Sequence, residues 1–259
     1  MRHSVARLRE ERLARSLKPF HARGSRIERC PGCRLALSRC MCTLRPQVPA
    51  RSAVCLLMYD TEPLKPSNTG WLIADLVRDN FAFGWSRIEV DPQLLVLLDD
   101  PQWQPYVVFP AEYGQGREVV ERIEPVPGKR PLFILLDATW SEARKMFRKS
   151  PYLERFPVLS ITPEEMSRYR LRRSKFEEHL CTAEVAALCL DMAGDVQAAG
   201  ALDAWLDVFS ERYLGFKFSQ PLDLASAAHQ RLYRYLPAGP QTAQPASGQP
   251  VDGNGRSGS

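Results

Sequence analysis

No apolar run in this chain approaches the roughly 20 residues that a membrane-spanning helix needs; the longest, at 53–59 and 132–136, are far shorter. A helical membrane span is excluded, and no membrane partner is expected. There is no glycine loop of the P-loop or dinucleotide-binding kind, which removes the common phosphate-cradling motifs, and no internal repeat that would mark a solenoid. The first residues are charged and lack a long apolar stretch, so no secretory signal is expected and the compartment should be the reducing cytoplasm. Beyond 237 the chain loses almost all apolar bulk and ends in Asn-Gly-Arg-Ser-Gly-Ser. Such a segment cannot offset its ordering entropy, and 237–259 is expected to be disordered. Nothing in the sequence points to an obligate protein partner.

What is present begins with cysteine. Four of the seven cysteines, Cys30, Cys33, Cys40 and Cys42, fall within thirteen residues. Two close pairs separated by a short turn can bring four thiolates to the corners of a tetrahedron about 2.3 Å from one soft divalent ion, the requirement of a closed structural zinc site. A disulfide or unligated cluster is the alternative. Against it stand the odd total, the single residue between Cys40 and Cys42, and the apolar surroundings of Cys55, Cys181 and Cys189. An apolar content of 44% in 259 residues suffices for one main domain with appendages. The expected division is a basic arm over 1–29, a zinc knuckle over 30–46, a main domain over 47–236 and the tail.

The net charge of +5 is modest but unevenly spread. Arg2, Arg7, Arg9, Arg12, Arg15, Lys18, Arg23, Arg26 and Arg29 precede the first cysteine, opposed by Glu10, Glu11 and Glu28. A second basic zone runs through Arg144, Lys145, Arg148, Lys149 and Arg155 to Arg168, Arg170, Arg172, Arg173 and Lys175. Two such zones suit a polyanion, because phosphate neutralisation with counterion release supplies most sequence-independent nucleic-acid affinity. Solvated helix surface is the alternative.

Apolar patterning predicts strands over 53–58, 87–90, 106–109, 132–136 and 158–161, with helical segments over 69–79, 91–98, 117–122, 141–149, 182–192, 201–214 and 222–236. Asn68 or Thr69 would cap the first of these. The short, wholly apolar run at 132–136 is the kind buried on both faces of a parallel sheet. Strand–helix alternation of this sort predicts an α/β domain with a mostly parallel sheet and C-terminal helices.

In an open parallel sheet, ligands bind outside the carboxyl ends of the strands. Asp137 ends an apolar strand and would project into that crevice, followed by Ala138, Thr139, Trp140, Ser141, Glu142 and Ala143. A helix N-cap is the competing reading, although it leaves the indole of Trp140 without a reason. The polar loop from Tyr59 to Gly70 and the basic Ser167-Arg168-Tyr169-Arg170-Leu171-Arg172 segment, followed by Cys181-Thr182-Ala183-Glu184, are the other candidates. Each also reads as ordinary capped or solvated connection.

Together these segments resemble the DTW-domain proteins, the tRNA-uridine aminocarboxypropyltransferases. Asp137, Ala138, Thr139 and Trp140 match the Asp-x-Thr-Trp motif. The cysteine pattern, Lys65-Pro66-Ser67-Asn68-Thr69, Phe109-Pro110-Ala111-Glu112, Ser141-Glu142-Ala143, Ser167-Arg168-Tyr169 and Thr182-x-Glu184 occur in the family's order, over about 30–214. Two positions depart from it: Tyr59-Asp60 stands where many members have His-Pro, and Cys181 where a serine is common.

The resemblance implies a SPOUT-like fold with a knotted C-terminal half, S-adenosylmethionine as donor of its 3-amino-3-carboxypropyl group, and N3 of a tRNA uridine as acceptor. It implies Asp137 as general base or as a binding group, and Trp140 as a pocket residue. Thr139 and Ser141 would be hydrogen-bond donors, and Arg168 and Tyr169 contacts to the donor carboxylate or to tRNA. Asn68, Thr69, Glu142, Ser167, Thr182 and Glu184 would complete the substrate site. A sulfonium activates its own leaving group, so no catalytic metal is implied. A zinc-stabilised RNA-binding module, or an RNA methyltransferase on the same fold, are the alternatives.

Overall fold

The structure is a computed structural model that describes residues 3–17, 27–114, 116–162, 166 and 180–237. In chain order its elements are α1 (Ser4–Ala14), β1 (Ala53–Met58), α2 (Gly70–Leu76), β2 (Asn80–Gly84), α3 (Pro92–Asp99), β3 (Trp103–Val108), β4 (Val119–Val120), β5 (Arg130–Asp137), α4 (Trp140–Arg148), β6 (Val158–Leu159), α5 (Thr182–Met192), α6 (Val196–Lys217) and α7 (Ala227–Tyr233). The two apolar runs of the sequence become adjacent strands. β1 and β5 pair in parallel from Ala53 opposite Leu132 to Met58 opposite Asp137. Among the described residues the strands form one sheet of order β2-β1-β5-β3-β6-β4, with every pairing parallel.

Strand side chains alternate between faces, and each face of this sheet has its own core. Val54, Leu56, Met58, Phe133 and Leu135 pack towards α2, α5 and α6. Cys55, Leu57, Leu132 and Ile134 pack towards α3 and α4. Burial on both faces is why 53–58 and 132–136 are continuously apolar rather than alternating.

Two expected elements lie elsewhere. The strand expected at 87–90 is instead Asn80–Gly84, which runs parallel to β1 from Asn80 opposite Val54; Ile88 is almost wholly exposed. Phe81 and Phe83 suit a strand as Ile88 and Val90 do, and the stretch within reach of a partner ladder forms it. Residues 117–122, expected to be helical, supply the short edge strand β4 on β6. Arg117 pins that segment, donating to the carbonyls of Leu153 and Phe156 at 2.7 and 2.8 Å. α2 stops at Leu76, where the Asn80 side chain donates to the carbonyl of Val77 at 2.7 Å.

The first basic segment is partly folded. α1 buries Val5 and Leu8 in the same core as α2, and burying each such side chain contributes about 1.5–3 kcal/mol. His3 caps α1, its Nδ1 accepting from the Ala6 amide at 3.2 Å, and meets Trp71 edge-on at 4.5 Å. Burial pushes His3 down to about 4. Arg12 reaches the loop after β1 and donates to both carboxylate oxygens of Asp60 at 2.6 and 2.8 Å. No helix among the described residues is long and apolar enough to cross a membrane.

Candidate active site and metal centre

Asp137 ends the central strand β5 and is 3% exposed. Its Oδ2 accepts from Asn68 Nδ2 at 2.7 Å and its Oδ1 from Thr182 Oγ1 at 2.6 Å. One carboxylate therefore joins the end of β5, the loop after β1 and the first residue of α5. Burial disfavours the charged form and pushes this carboxyl up to about 6, against the two hydrogen bonds, which favour ionisation. A Cβ added at Gly70 would lie 2.7 Å from Asp137 Oδ2, so the close approach of α2 to the carboxylate requires glycine.

The loop is tied inward by its own polar groups. Asn68 Nδ2 lies 3.3 Å from Glu62 Oε2, and Asn68 Oδ1 accepts from the Trp71 amide at 3.2 Å. Buried Glu62 pairs with Lys65. Thr69 Oγ1 accepts from the Ala183 amide at 3.3 Å, joining the start of α2 to that of α5. Cys181 caps α5, and the Glu184 carboxylate accepts from the Cys181 amide at 2.8 Å in a reciprocal cap. Burial pushes the Cys181 thiol up to about 11.

The residues after Asp137 turn to the other face of the sheet. Thr139 and Glu142 form a capping box that fixes the start of α4, with the Thr139 amide donating to Glu142 at 3.0 Å. The cap anticipated for this sequence is therefore real, and Asp137 is not the residue that makes it. Ser141 is exposed. Trp140 is half exposed, stacked on Phe109 at 5.5 Å and 11°, with Tyr113 edge-on at 5.8 Å. Phe109 stacks in turn on Phe147 at 4.5 Å.

The four knuckle cysteines converge. A tetrathiolate tetrahedron has edges of about 3.8 Å; the Sγ separations are 3.6 Å for Cys30–Cys42, 3.5 Å for Cys30–Cys40 and 3.9 Å for Cys33–Cys40. All four ligand atoms lie within 4.8 Å of one another, far beyond disulfide bonding, and the cluster can hold a metal ion. Gly32 is required here, since its Cβ would meet Cys42 Sγ at 2.7 Å. Arg34 takes a left-handed φ of 65°. Buried Arg212 of α6 donates to the carbonyls of Arg39 and Cys40.

This knuckle is fastened to the Asp137 loop. Arg34 donates to the carbonyl of Leu64 at 3.0 Å and lies over the Trp71 ring at 4.7 Å. Trp71 Nε1 donates to the carbonyl of Gly32 at 2.7 Å, while its amide donates to Asn68. Gly32, Trp71, Asn68 and Asp137 thus form one continuous contact path.

Of the residues singled out from sequence, Asn68, Thr69, Asp137, Thr182 and Glu184 come together, with Thr139, Trp140, Ser141 and Glu142 at the start of α4. Ser167, Arg168 and Tyr169 lie outside the described residues. Glu62 is not singled out by the sequence, and Lys65 only as the start of the Lys65-Pro66-Ser67-Asn68-Thr69 run; Arg34 and Trp71 are not singled out at all. The polar loop from Tyr59 to Gly70 contained the signal for the first two, whereas the knuckle contacts of Arg34 and Trp71 join segments too far apart in sequence to leave one.

The architecture is that of an α/β domain with a carboxylate-centred cluster at the carboxyl end of its parallel sheet. The chain belongs to the DTW domain family, which matches residues 27–214. The tRNA-uridine aminocarboxypropyltransferase 2 of Drosophila melanogaster is 25% identical over 175 residues, covering 64% of this chain and 66% of that protein. The chain thus spans just under two thirds of that relative's length. No solved structure matches the chain significantly.

Proposed function

We propose that this protein modifies tRNA by transferring the 3-amino-3-carboxypropyl group of S-adenosylmethionine to N3 of a uridine. The observation that carries the reading is the family's Asp-x-Thr-Trp sequence at the end of the central strand, with its aspartate buried, held from two sides and raised to about 6. A SPOUT-like knotted arrangement, the cytoplasm as compartment and the contacts of Arg168 and Tyr169 belong to the same proposal. The relative's name supports the substrate class.

Uridine N3 carries a proton and attacks well only after losing it. Asp137 takes that proton, becoming the neutral acid, and a carboxylate raised to about 6 is still mostly ionised at neutral pH while more basic than an exposed one. The freed N3 lone pair attacks the methionine Cγ of the donor, and the Cγ–S bond breaks with its electron pair passing to sulfur. The positive sulfonium leaves as neutral methylthioadenosine. Aiming Cγ rather than the methyl at N3 is an orientation problem, which decides the product. The pinned loop of Asn68 and Thr69 and the start of α5 at Thr182 supply that rigidity. Cys30, Cys33, Cys40 and Cys42 would hold zinc, and bound zinc would fix the fold of the knuckle and, through Arg34 and Trp71, the position of the loop.

The test is nucleoside mass analysis of tRNA from a strain lacking this gene. 3-(3-amino-3-carboxypropyl)uridine should fall or vanish from at least one tRNA and return on complementation. An unchanged nucleoside profile would count against the proposal.

A further inference from the structure

The indole of Trp140 is 50% exposed, a large apolar surface left in water. It is also held rigidly. One face stacks on Phe109, Tyr113 meets it edge-on, and the capping box of Thr139 and Glu142 fixes the helix turn from which it projects. Side chains four apart share a helix face, so Trp140, Arg144 and Arg148 form one stripe along α4, about 12 Å from end to end. Exposed Lys145 flanks it and reaches the ring of Trp85. The only carboxylate in α4, Glu142, is turned back onto Thr139. The stripe therefore combines a preorganised aromatic face with positive charge that no side chain of α4 itself neutralises, the pairing that holds unpaired nucleic acid: bases stack on the ring, cations follow the phosphates.

We propose that Trp140 and the Arg144–Lys145–Arg148 edge of α4 are a docking surface for an unpaired stretch of the RNA substrate, with one base stacked on the open face of the indole. This rests on the tRNA reading above and gives Trp140 a particular partner within it. The charge of α4 selects a polyanion, and the aromatic face selects a strand whose bases are splayed rather than paired.

The test measures binding of three ligands to the full chain: a tRNA transcript, a short unstructured uridine-containing oligonucleotide, and S-adenosylmethionine. Variants are Trp140→Phe, Trp140→Leu and Arg148→Gln, with melting temperature confirming that each folds. Trp140→Leu should weaken both RNAs by about 5- to 150-fold, the range for losing one stacked base. Trp140→Phe should recover most of that loss, and Arg148→Gln should lower the slope of log affinity against log salt by about one. Donor affinity should be unchanged throughout. Wild-type RNA affinity in Trp140→Leu would overturn the docking surface and leave the tRNA reading standing. Loss of donor affinity with RNA binding intact would overturn it too, by assigning the indole to the donor. Failure of the unaltered protein to bind any RNA would remove both readings together. If Trp140→Leu does not fold, Trp140→Phe and Arg148→Gln still decide: a large loss in the first, or an unchanged salt slope in the second, contradicts the proposal.

Discussion

At Asp137 the folded protein keeps a carboxylate where water would hold it more cheaply. A carboxyl whose folded pKa lies above its unfolded value disfavours folding wherever it is ionised. For Asp137 the penalty is absent below the ordinary value of 3.8, grows through the interval up to about 6, and is complete above that. Asp137→Asn removes the charge and keeps the shape: its oxygen can still accept from Asn68 and its amide can donate to Thr182. The variant should therefore be more stable than the parent at pH 8, by up to about 3 kcal/mol, and the gap should close below pH 4. Its transfer activity should fall by about 10² to 10⁴. Parent activity should also decline as pH drops through about 6. Melting curves at pH 4 and 8, with single-turnover rates at saturating donor, check both halves. A variant less stable than the parent at pH 8 would mean that the carboxylate's hydrogen bonds outweigh its burial, and near-parental turnover would remove the base assignment.

Among the elements, the knuckle and the loop after β1 stand or fall together. Gly32 and Arg34 hold Trp71 and Leu64, and Trp71 holds Asn68 against Asp137. Replacing Cys40 and Cys42 by serine should abolish stoichiometric zinc and lower the melting temperature. It should also weaken donor binding, although neither residue touches the carboxylate cluster. Metal analysis with donor titration checks this, and full zinc content in the double variant would contradict the assignment. This linkage marks the limit of what the sequence discloses. The tetrathiolate was legible because its ligands are local and its spacing carries the geometry. The path from the knuckle to the loop after β1 was not, since it joins Gly32 to Trp71 and Arg34 to Leu64 through folding alone. Strand identity shows the same limit: 53–58 and 132–136 declare themselves by continuous apolarity, whereas β2 and β4 are edge strands defined by their partners. Cys181 was legible as a departure from the family, and its place explains the tolerance, because a partly buried thiol still occupies the N-cap of α5 while Glu184 supplies the reciprocal bond.

For the whole molecule, the first basic segment is structural as well as electrostatic. α1 carries part of the N-terminal charge but is docked through Val5 and Leu8, with Arg12 committed to Asp60. Deleting it should therefore unfold more than it uncharges. Replacing exposed Arg7 and Arg15 by glutamine is the cleaner change: it should leave folding stability within about 0.5 kcal/mol of the parent and lower the salt slope of tRNA binding by up to about two. An unchanged slope would return these side chains to solvated surface. The central claim concerns which carbon of the donor is transferred, and the departing product records it. Purified protein incubated with unmodified tRNA and S-adenosylmethionine should release methylthioadenosine in equal amount to the 3-(3-amino-3-carboxypropyl)uridine formed. Release of S-adenosylhomocysteine with a methylated nucleoside, or of no adenosyl product at all, would contradict it.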